Sequence, residues 1–573
     1  MMIRQTLILF LFLLFVARGS AQTYPQNYFS PPLDPPLIVV GTFGEIRQDH
    51  FHSGIDLSTQ EMEGLPVMAA ADGYVSRIKI DAEGFGKAIY ITHPNGFVTV
   101  YGHLQKFTAP INEYVKKSQY EKQTFEIELY PKSKEYKVKK GEVIGYSGNT
   151  GSTSGPHLHF EIRDQETEEP INPLLFGLPL ADTTKPVLQW VRVFPVREAG
   201  VVNKSDSAVT YEIMQTDGIN YLNTTDYIQA VGLIGFGFGV TDHQEGSTSE
   251  LGIYSAELYV DAQLAYVWHM DRFNFNDTRY VNAHIDYVSK ERDGRIIERC
   301  FRLPGNHLNI YPDTTITGYQ NFTEDIAHDI KFVAKDFKGN ATQLEFQVVT
   351  YSSMNNVPYQ AKPEGAMLVT NKNGIAVHKS DIDVVIPSNA VYEDYYFSHH
   401  YSRDTRFLTD LHHVGDPYEA LDQPITISLK PFKPVEDALK SKALIACVRR
   451  DGSMYSIGGN WKGEMLVAQS RKFGDFAITL DTVPPVLEKE YVPADLNSTR
   501  GAQIQVRVTD DLSGIDSYTG KIDGHWQLFE YDAKNHLLNA DLSSADSNKE
   551  HTAELSVTDN RGNVRNWTYK FWY

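Results

Sequence analysis

Cysteine is nearly absent from this chain: two residues, Cys300 and Cys447, in 573. A disulfide framework needs closely spaced pairs in a small domain, so these two, roughly 150 residues apart, exclude one and are expected to be buried free thiols. Positive charge is also short. There are 53 Lys and Arg against 73 Asp and Glu, a formal net charge of −20. Nucleic acid and anionic lipid attract basic surfaces, which argues against either as the main partner. No long apolar stretch follows the first sixteen residues, so no transmembrane segment is expected. No His-Glu-x-x-His, Gly-x-Ser-x-Gly or Walker-type phosphate loop occurs. A sustained 3.6-residue apolar period is missing too, and the abundance of short β-branched and aromatic runs points to a mainly β protein.

The chain opens Met1-Met2-Ile3-Arg4, continues through apolar residues Leu7 to Val16, and reaches Ala17-Arg18-Gly19-Ser20-Ala21. A basic start, a short apolar core and small residues at the end mark a secretory signal peptide over residues 1–21, with cleavage after Ala21. The expected location is the periplasm or cell envelope, or the outside medium. The remaining length has room for about four domains of ordinary size.

Three separated pieces carry chemistry: His52-Ser53-Gly54-Ile55-Asp56, Tyr101-Gly102-His103-Leu104 and Gly155-Pro156-His157-Leu158-His159-Phe160. A catalytic zinc site has three N, O or S ligands and a fourth position for water, and His52, Asp56 and His159 would meet that count. Pro156 to Ile162 reads as a strand. Side chains two apart on a strand share a face, so His157 and His159 point the same way while Leu158 and Phe160 turn opposite. Gly54 between His52 and Asp56 argues against a helix there. Pro94-Asn95-Gly96 joins two strand-like runs as a hairpin, which places His103 at a strand exit. Each motif taken singly is weak, and the paired histidines His399-His400 and His412-His413 are not read as a second metal site.

Taken together, the pieces resemble the LytM and lysostaphin type of zinc metallopeptidase, over roughly Val39 to Pro179. Gly44-Glu45-Ile46-Arg47, Pro66 to Val75, and Val138 to Gly145 with Ser147-Gly148-Asn149-Thr150-Gly151 extend the resemblance beyond the polar residues. It implies an antiparallel β-sheet peptidase domain over residues 22–180, a Zn²⁺ cofactor held by His52, Asp56 and His159, and a catalytic pair, His103 and His157, for proton transfer and oxyanion stabilisation. The implied substrate is bacterial cell-wall peptidoglycan. Some members of this type lack zinc ligands and regulate other wall hydrolases instead; all five positions are filled here. The segment Gln105 to Lys137 is longer than the short link of simpler members and is expected to be a solvated loop, a lid or a wall of the substrate groove.

Beyond residue 180 the sequence repeats itself. Asp182-Thr183-Thr184-Lys185-Pro186-Val187-Leu188 returns as Asp481-Thr482-Val483-Pro484-Pro485-Val486-Leu487. Val240-Thr241-Asp242 returns as Val508-Thr509-Asp510, and Asp336 to Asn340 as Asp559 to Asn563. These recurrences predict two related β-sandwiches of immunoglobulin-like type over 181–352 and 481–573, with a third β-rich domain over 353–480. Their expected roles are spacers, surfaces for wall components or an envelope protein partner, or a cover over the active site.

Overall fold

Short strands broken by glycine, proline and asparagine turns build nearly everything in this protein. The computed structural model describes residues 24–34, 36–313, 315–351, 362–492, 503–543 and 549–572. The expected export segment, residues 1–21, lies outside the described residues.

The first part is an antiparallel sheet made of β1 (Val39–Gly41), β2 (Ile55–Ser58), β4 (Gly73–Ile80), β5 (Lys87–Thr92), β6 (Phe97–Gly102), β8 (Ile127–Leu129) and β11 (His157–Asp164), in the spatial order β1-β2-β11-β6-β5-β4-β8. A small second sheet joins β3 (Pro66–Met68), β10 (Val143–Tyr146) and β7 (Lys106–Phe107), and the short β9 (Lys137–Val138) and β12 (Pro170–Ile171) extend the large one. Alternation explains the packing. Leu158, Phe160 and Ile162 of β11 are fully buried with Ile55, Leu57, Ile89, Ile91 and Tyr101, while the other face of β11 carries the polar residues His157, His159, Glu161 and Arg163.

Of the alternatives for Gln105 to Lys137, the solvated loop fails here. The segment between His103 and β9 holds α1 (Ala109–Lys122), although the sequence shows no apolar helical period. The buried positions are Ile111, Val115, Ser118 and Gln119, a helical stripe in which two of four residues are polar. Ser118 Oγ donates to the Tyr114 carbonyl at 2.9 Å and Gln119 Nε2 to the Phe125 carbonyl at 2.7 Å. Those hydrogen bonds let polar residues occupy core positions that hydropathy alone would not assign.

Residues 187–349 form a ten-stranded sheet assembly whose long central strands are Val187–Val202 and Ile228–Thr241. Residues 375–480 supply two five-stranded sheets, with a separate pair of strands, Met367–Val369 and Tyr395–Phe397, beside them. Residues 486–572 supply two four-stranded sheets packed face to face around Ile504, Val506, Leu538, Leu555 and Val557. Cys300 and Cys447 are buried free thiols, as their spacing suggested. The paired histidines lie opposite one another in a hairpin, His399 Nε2 at 3.2 Å from His412 Nδ1 and the His400 and His413 rings stacked at 4.4 Å. Neither pair belongs to a group of three metal-ligating side chains among the described residues.

The apolar core does not stop at the end of the first sheet. It continues without a break into the sheets of 187–349, and at the seam the Phe273 ring lies 5.1 Å from that of Phe43 and 5.6 Å from that of Phe51. Phe273 is fully buried. Phe273→Ala is therefore expected to cost about 3–5 kcal/mol, read as a lower denaturant midpoint, with residues 24–349 unfolding in a single transition that tryptophan fluorescence and circular dichroism report together.

Candidate metal centre and cleft

Strand register brings the first three polar residues together. Asp56 on β2 stands directly opposite His159 on β11, and His159 in turn faces Gly102 on β6. His52 precedes β2 on a turn whose backbone is tied to Gly44 and Glu45. As a result, His52 Nε2, His159 Nδ1 and Asp56 Oδ1 each lie 3.0 Å from the other two. Glycines make room. A Cβ at Gly41, opposite Asp56, would come within 2.5 Å of Asp56 Oδ2, and one at Gly54 within 2.4 Å of the Phe160 carbonyl.

The hydrogen bonds around this point decide which nitrogen of each ring carries its proton. His52 Nδ1 donates to the Thr42 carbonyl at 2.8 Å. His159 Nε2 donates to Glu161 Oε1 at 3.0 Å. Arg47 Nη2 donates to Asp56 Oδ2 at 3.0 Å, which leaves Oδ1 for the centre. Two imidazole lone pairs and one carboxylate oxygen thus converge on one point, an arrangement that repels itself unless a positive charge lies between. A proton on His159 Nδ1 can supply that charge as a cation would: burial alone would lower the His159 pKa, but the hydrogen bonds and charges of Asp56 and Glu161 lift it to about 9. Burial likewise opposes ionisation of Asp56, yet in that protonated state a charge on His52, then hydrogen bonds from His157 and His159, hold it well below the usual range. The site favours a cation, and two nitrogens with one oxygen is a donor set that suits zinc.

Glu161 is the residue that the sequence reading passed over. It is fully buried, and although burial raises a carboxyl, the Arg163 guanidinium and the hydrogen bond from His159 hold it at about 2. Arg163 Nε donates to its Oε2 at 2.5 Å, and Ser53 Oγ donates to its Oε1. The period of two that pairs His157 with His159 also reaches Glu161 and Arg163, so the signal was present.

His103 and His157 sit beside the trio, their rings 4.7 Å apart. His103 Nδ1 donates to the Thr150 carbonyl at 2.8 Å and His157 Nδ1 to the Gly155 carbonyl at 2.9 Å. Each is left with an Nε2 lone pair, and that of His157 lies 3.5 Å from Asp56 Oδ1. His103 follows β6, as expected, with a left-handed φ of 59° that few residues other than glycine adopt. Burial, then the charges of His159 and His157, push its imidazole down to about 3.

The five residues open into a cleft of about 610 Å³ whose walls include Arg47, Glu61, Phe85, the Ser152–Gly155 loop and Ser249 from the following sheet assembly. The last sandwich reaches the rim as well. Lys534 Nζ donates to the Asn149 and Gly151 carbonyls, on either side of the Thr150 carbonyl that holds His103. Lys87 pairs with Glu530 at 2.9 Å, and Tyr120 of α1 meets Trp526 edge to face at 5.0 Å. The Gln105 to Lys137 segment is thus packed against the last sandwich.

Comparison with known proteins places these features. Residues 50–120 and 126–173 match the family described as Peptidase family M23, and residues 366–481 match a Zu5-like domain. A protein named DD-carboxypeptidase/endopeptidase Mpg, from Neisseria meningitidis, is 35% identical over 134 residues, covering 23% of this chain and 24% of its own length. Peptidoglycan DD-endopeptidase ShyA, from Vibrio cholerae, is 32% identical over 132 residues, with coverage of 23% and 24%. This chain therefore spans about a quarter of the length of each of these relatives. Among solved structures, the catalytic domain of the antimicrobial peptidase lysostaphin from Staphylococcus simulans matches at 23% identity and a TM-score of 0.18, over 24% of this chain and 87% of that one. The part of the chain that holds all five polar residues, residues 50–173, is a peptidase domain of the M23 family, the LytM and lysostaphin type.

Proposed function

We propose that the protein is an exported, zinc-dependent endopeptidase that hydrolyses peptide bonds in the stem peptides or cross-links of bacterial peptidoglycan. The observation that carries this reading is the convergence of the His52, Asp56 and His159 lone pairs at the floor of an open cleft, with His103 and His157 beside them. Zinc, when bound, supplies Lewis acidity that makes water acidic near neutral pH and polarises a carbonyl. The chain's own groups do the rest. With Nδ1–H of His103 and of His157 held by carbonyls, each ring keeps an Nε2 lone pair on the side of the trio. One of the pair accepts the proton of the attacking water at its Nε2, and the other, once protonated at its own Nε2, donates to the oxyanion or the leaving amine.

The names of the relatives support peptidoglycan as the substrate class. A D-Ala to meso-diaminopimelate cross-link is the first bond to test and a glycine bridge the second. The N-terminal pattern over Met1 to Ala21 supports export to the periplasm or envelope. Division into a peptidase domain over 22–180 and β-domains over 181–352, 353–480 and 481–573, the first and last immunoglobulin-like, belongs to the same proposal. The sheets, which fall within those spans, support it.

The chain from Gln22 onward, incubated with purified peptidoglycan, is expected to release new amino termini identified by mass. A chelator should abolish the release and added zinc restore it. His157→Ala should keep its zinc and lose about 10²- to 10⁴-fold in kcat. If the zinc-loaded protein releases nothing and His157→Ala behaves as wild type, the endopeptidase reading fails and a non-enzymatic regulator of other wall hydrolases takes its place. Because the core runs across the seam, the companion fragment for this assay should end near residue 352 rather than 180. Glu161→Gln is expected to weaken zinc binding by about 10- to 100-fold, measured by competition with a chromogenic chelator.

A further inference from the structure

Each of the three stretches that recur along the chain contributes one aspartate, and the fold gathers the three into a cluster, twice. Asp182, Asp242 and Asp336 offer carboxylate oxygens within 4.8 Å of one another, and Asp481, Asp510 and Asp559 do the same. The surroundings match. Thr184 N–H donates to Asp182 Oδ1 at 3.0 Å, and Val483 N–H to Asp481 Oδ1 at 3.3 Å. Asn340 clamps both oxygens of Asp336 at 2.8 and 2.6 Å and reaches the Asp182 carbonyl at 3.2 Å. Asn563 repeats this on Asp559 at 2.9 and 2.7 Å and on the Asp481 carbonyl at 3.0 Å. Such bonds build the loops and imply no ligand.

The copies differ at the middle aspartate and at one basic residue. Asp510 Oδ2 accepts from Leu512 N–H at 3.3 Å and Gly514 N–H at 2.7 Å, and the half-buried Arg561 guanidinium feels the charges of Asp481 and Asp559. Asp242, by contrast, is 3% exposed, and its Oδ1 has no hydrogen-bond partner among the described residues. Lys338 stands where Arg561 stands in the repeat, and it is exposed. A buried carboxylate oxygen left without a donor is a costly feature that calls for a partner.

That oxygen belongs to a residue lining a cavity of about 30 Å³, bounded by all three aspartates together with Thr42, Gln244, Gly252 and Lys338. The space suits an ion with about one or two waters. Burial, then repulsion from Asp336 and Asp182, outweighs a hydrogen bond from the His243 N–H and raises the Asp242 carboxyl to about 7. An all-oxygen set is hard, which excludes the softer metals. Calcium takes six to eight oxygens at about 2.3–2.6 Å in flexible geometry, whereas magnesium demands a near-ideal octahedron at about 2.0–2.1 Å, so three carboxylates fixed by the loops suit calcium better.

We propose that Asp182, Asp242 and Asp336 bind a calcium ion at the seam between the peptidase domain and the sheet assembly that follows it. The site braces the zinc centre from behind. Gln244, two residues past Asp242, accepts from Val39 N–H at 2.7 Å and donates to the Leu37 and Ala181 carbonyls at 3.3 and 2.9 Å. Gly252 bonds Thr42 Oγ1 through both its N–H, at 3.0 Å, and its carbonyl, at 3.1 Å. Val39 lies on β1, whose Gly41 faces Asp56, and the Thr42 carbonyl orients His52. Calcium here would fix the supports of two zinc ligands without touching either.

The test is calorimetric titration of the zinc-loaded full chain with CaCl₂, paired with thermal unfolding. Binding is expected with a Kd of about 10⁻⁴–10⁻³ M, and saturation should raise the midpoint by about 2–4 °C. Asp242→Asn should abolish both effects with its zinc content unchanged, and Asp510→Asn should abolish neither. If Asp242→Asn does not fold, as judged by circular dichroism, Asp182→Asn on the less buried side of the cluster carries the same expectation. Absence of heat and shift in the wild type at about 10 mM CaCl₂ would overturn the proposal. So would undiminished binding in the folded aspartate variant, or an equal response to MgCl₂.

Discussion

Two imidazole nitrogens and one carboxylate oxygen are held 3.0 Å apart by the first sheet, an arrangement that stands only where a positive charge, a cation or a proton, lies among them. Three antiparallel strands in fixed register carry the arrangement, because a slip of one residue would turn Asp56 or His159 to the other face. Each ring is locked by a partner on its far side, the Thr42 carbonyl for His52 and Glu161 for His159. Glu161 is charged and fully buried only because Arg163, Ser53 and His159 surround it. The centre is therefore preorganised, and its stability is bound up with the core beneath it.

Much of this was legible in the residues. The period of two on β11 separates polar from apolar side chains and places His157 with His159. The same rule extends to Glu161 and Arg163, which went unread because neither carries a ligand signature. The carbonyls of Thr42, Thr150 and Gly155 could not be read, since every residue has one and only the fold decides which of them meets an imidazole. The helix α1 was hidden by Ser118 and Gln119, polar residues at core positions whose hydrogen bonds replace the apolar signal. The recurring aspartate motifs were visible as markers of related β-modules. Their convergence in space needed long-range strand pairing that a single sequence does not display.

The seam is the least local feature of the fold. Phe43 and Phe51 sit among the residues that shape the His52 turn, yet their aromatic partner Phe273 lies more than two hundred positions along the chain. The peptidase sheet consequently borrows part of its core from the β-structure that follows. Such an interface resembles the interior of one domain more than a contact between two, and hinge motion at this junction is not the default expectation. Whatever the β-structure does for substrate, it is also part of what keeps His52 and its neighbours in place.

The contact of Lys534 with the Asn149 and Gly151 carbonyls joins groups 385 and 383 positions apart. Chains are made from the N-terminus at about 5–20 residues per second, so the loop that carries His103's partner exists for tens of seconds before the lysine that steadies it. The peptidase is written first and finished last. A chain that stops before Lys534, even one retaining all five polar residues, would lack that clasp on the loop behind His103.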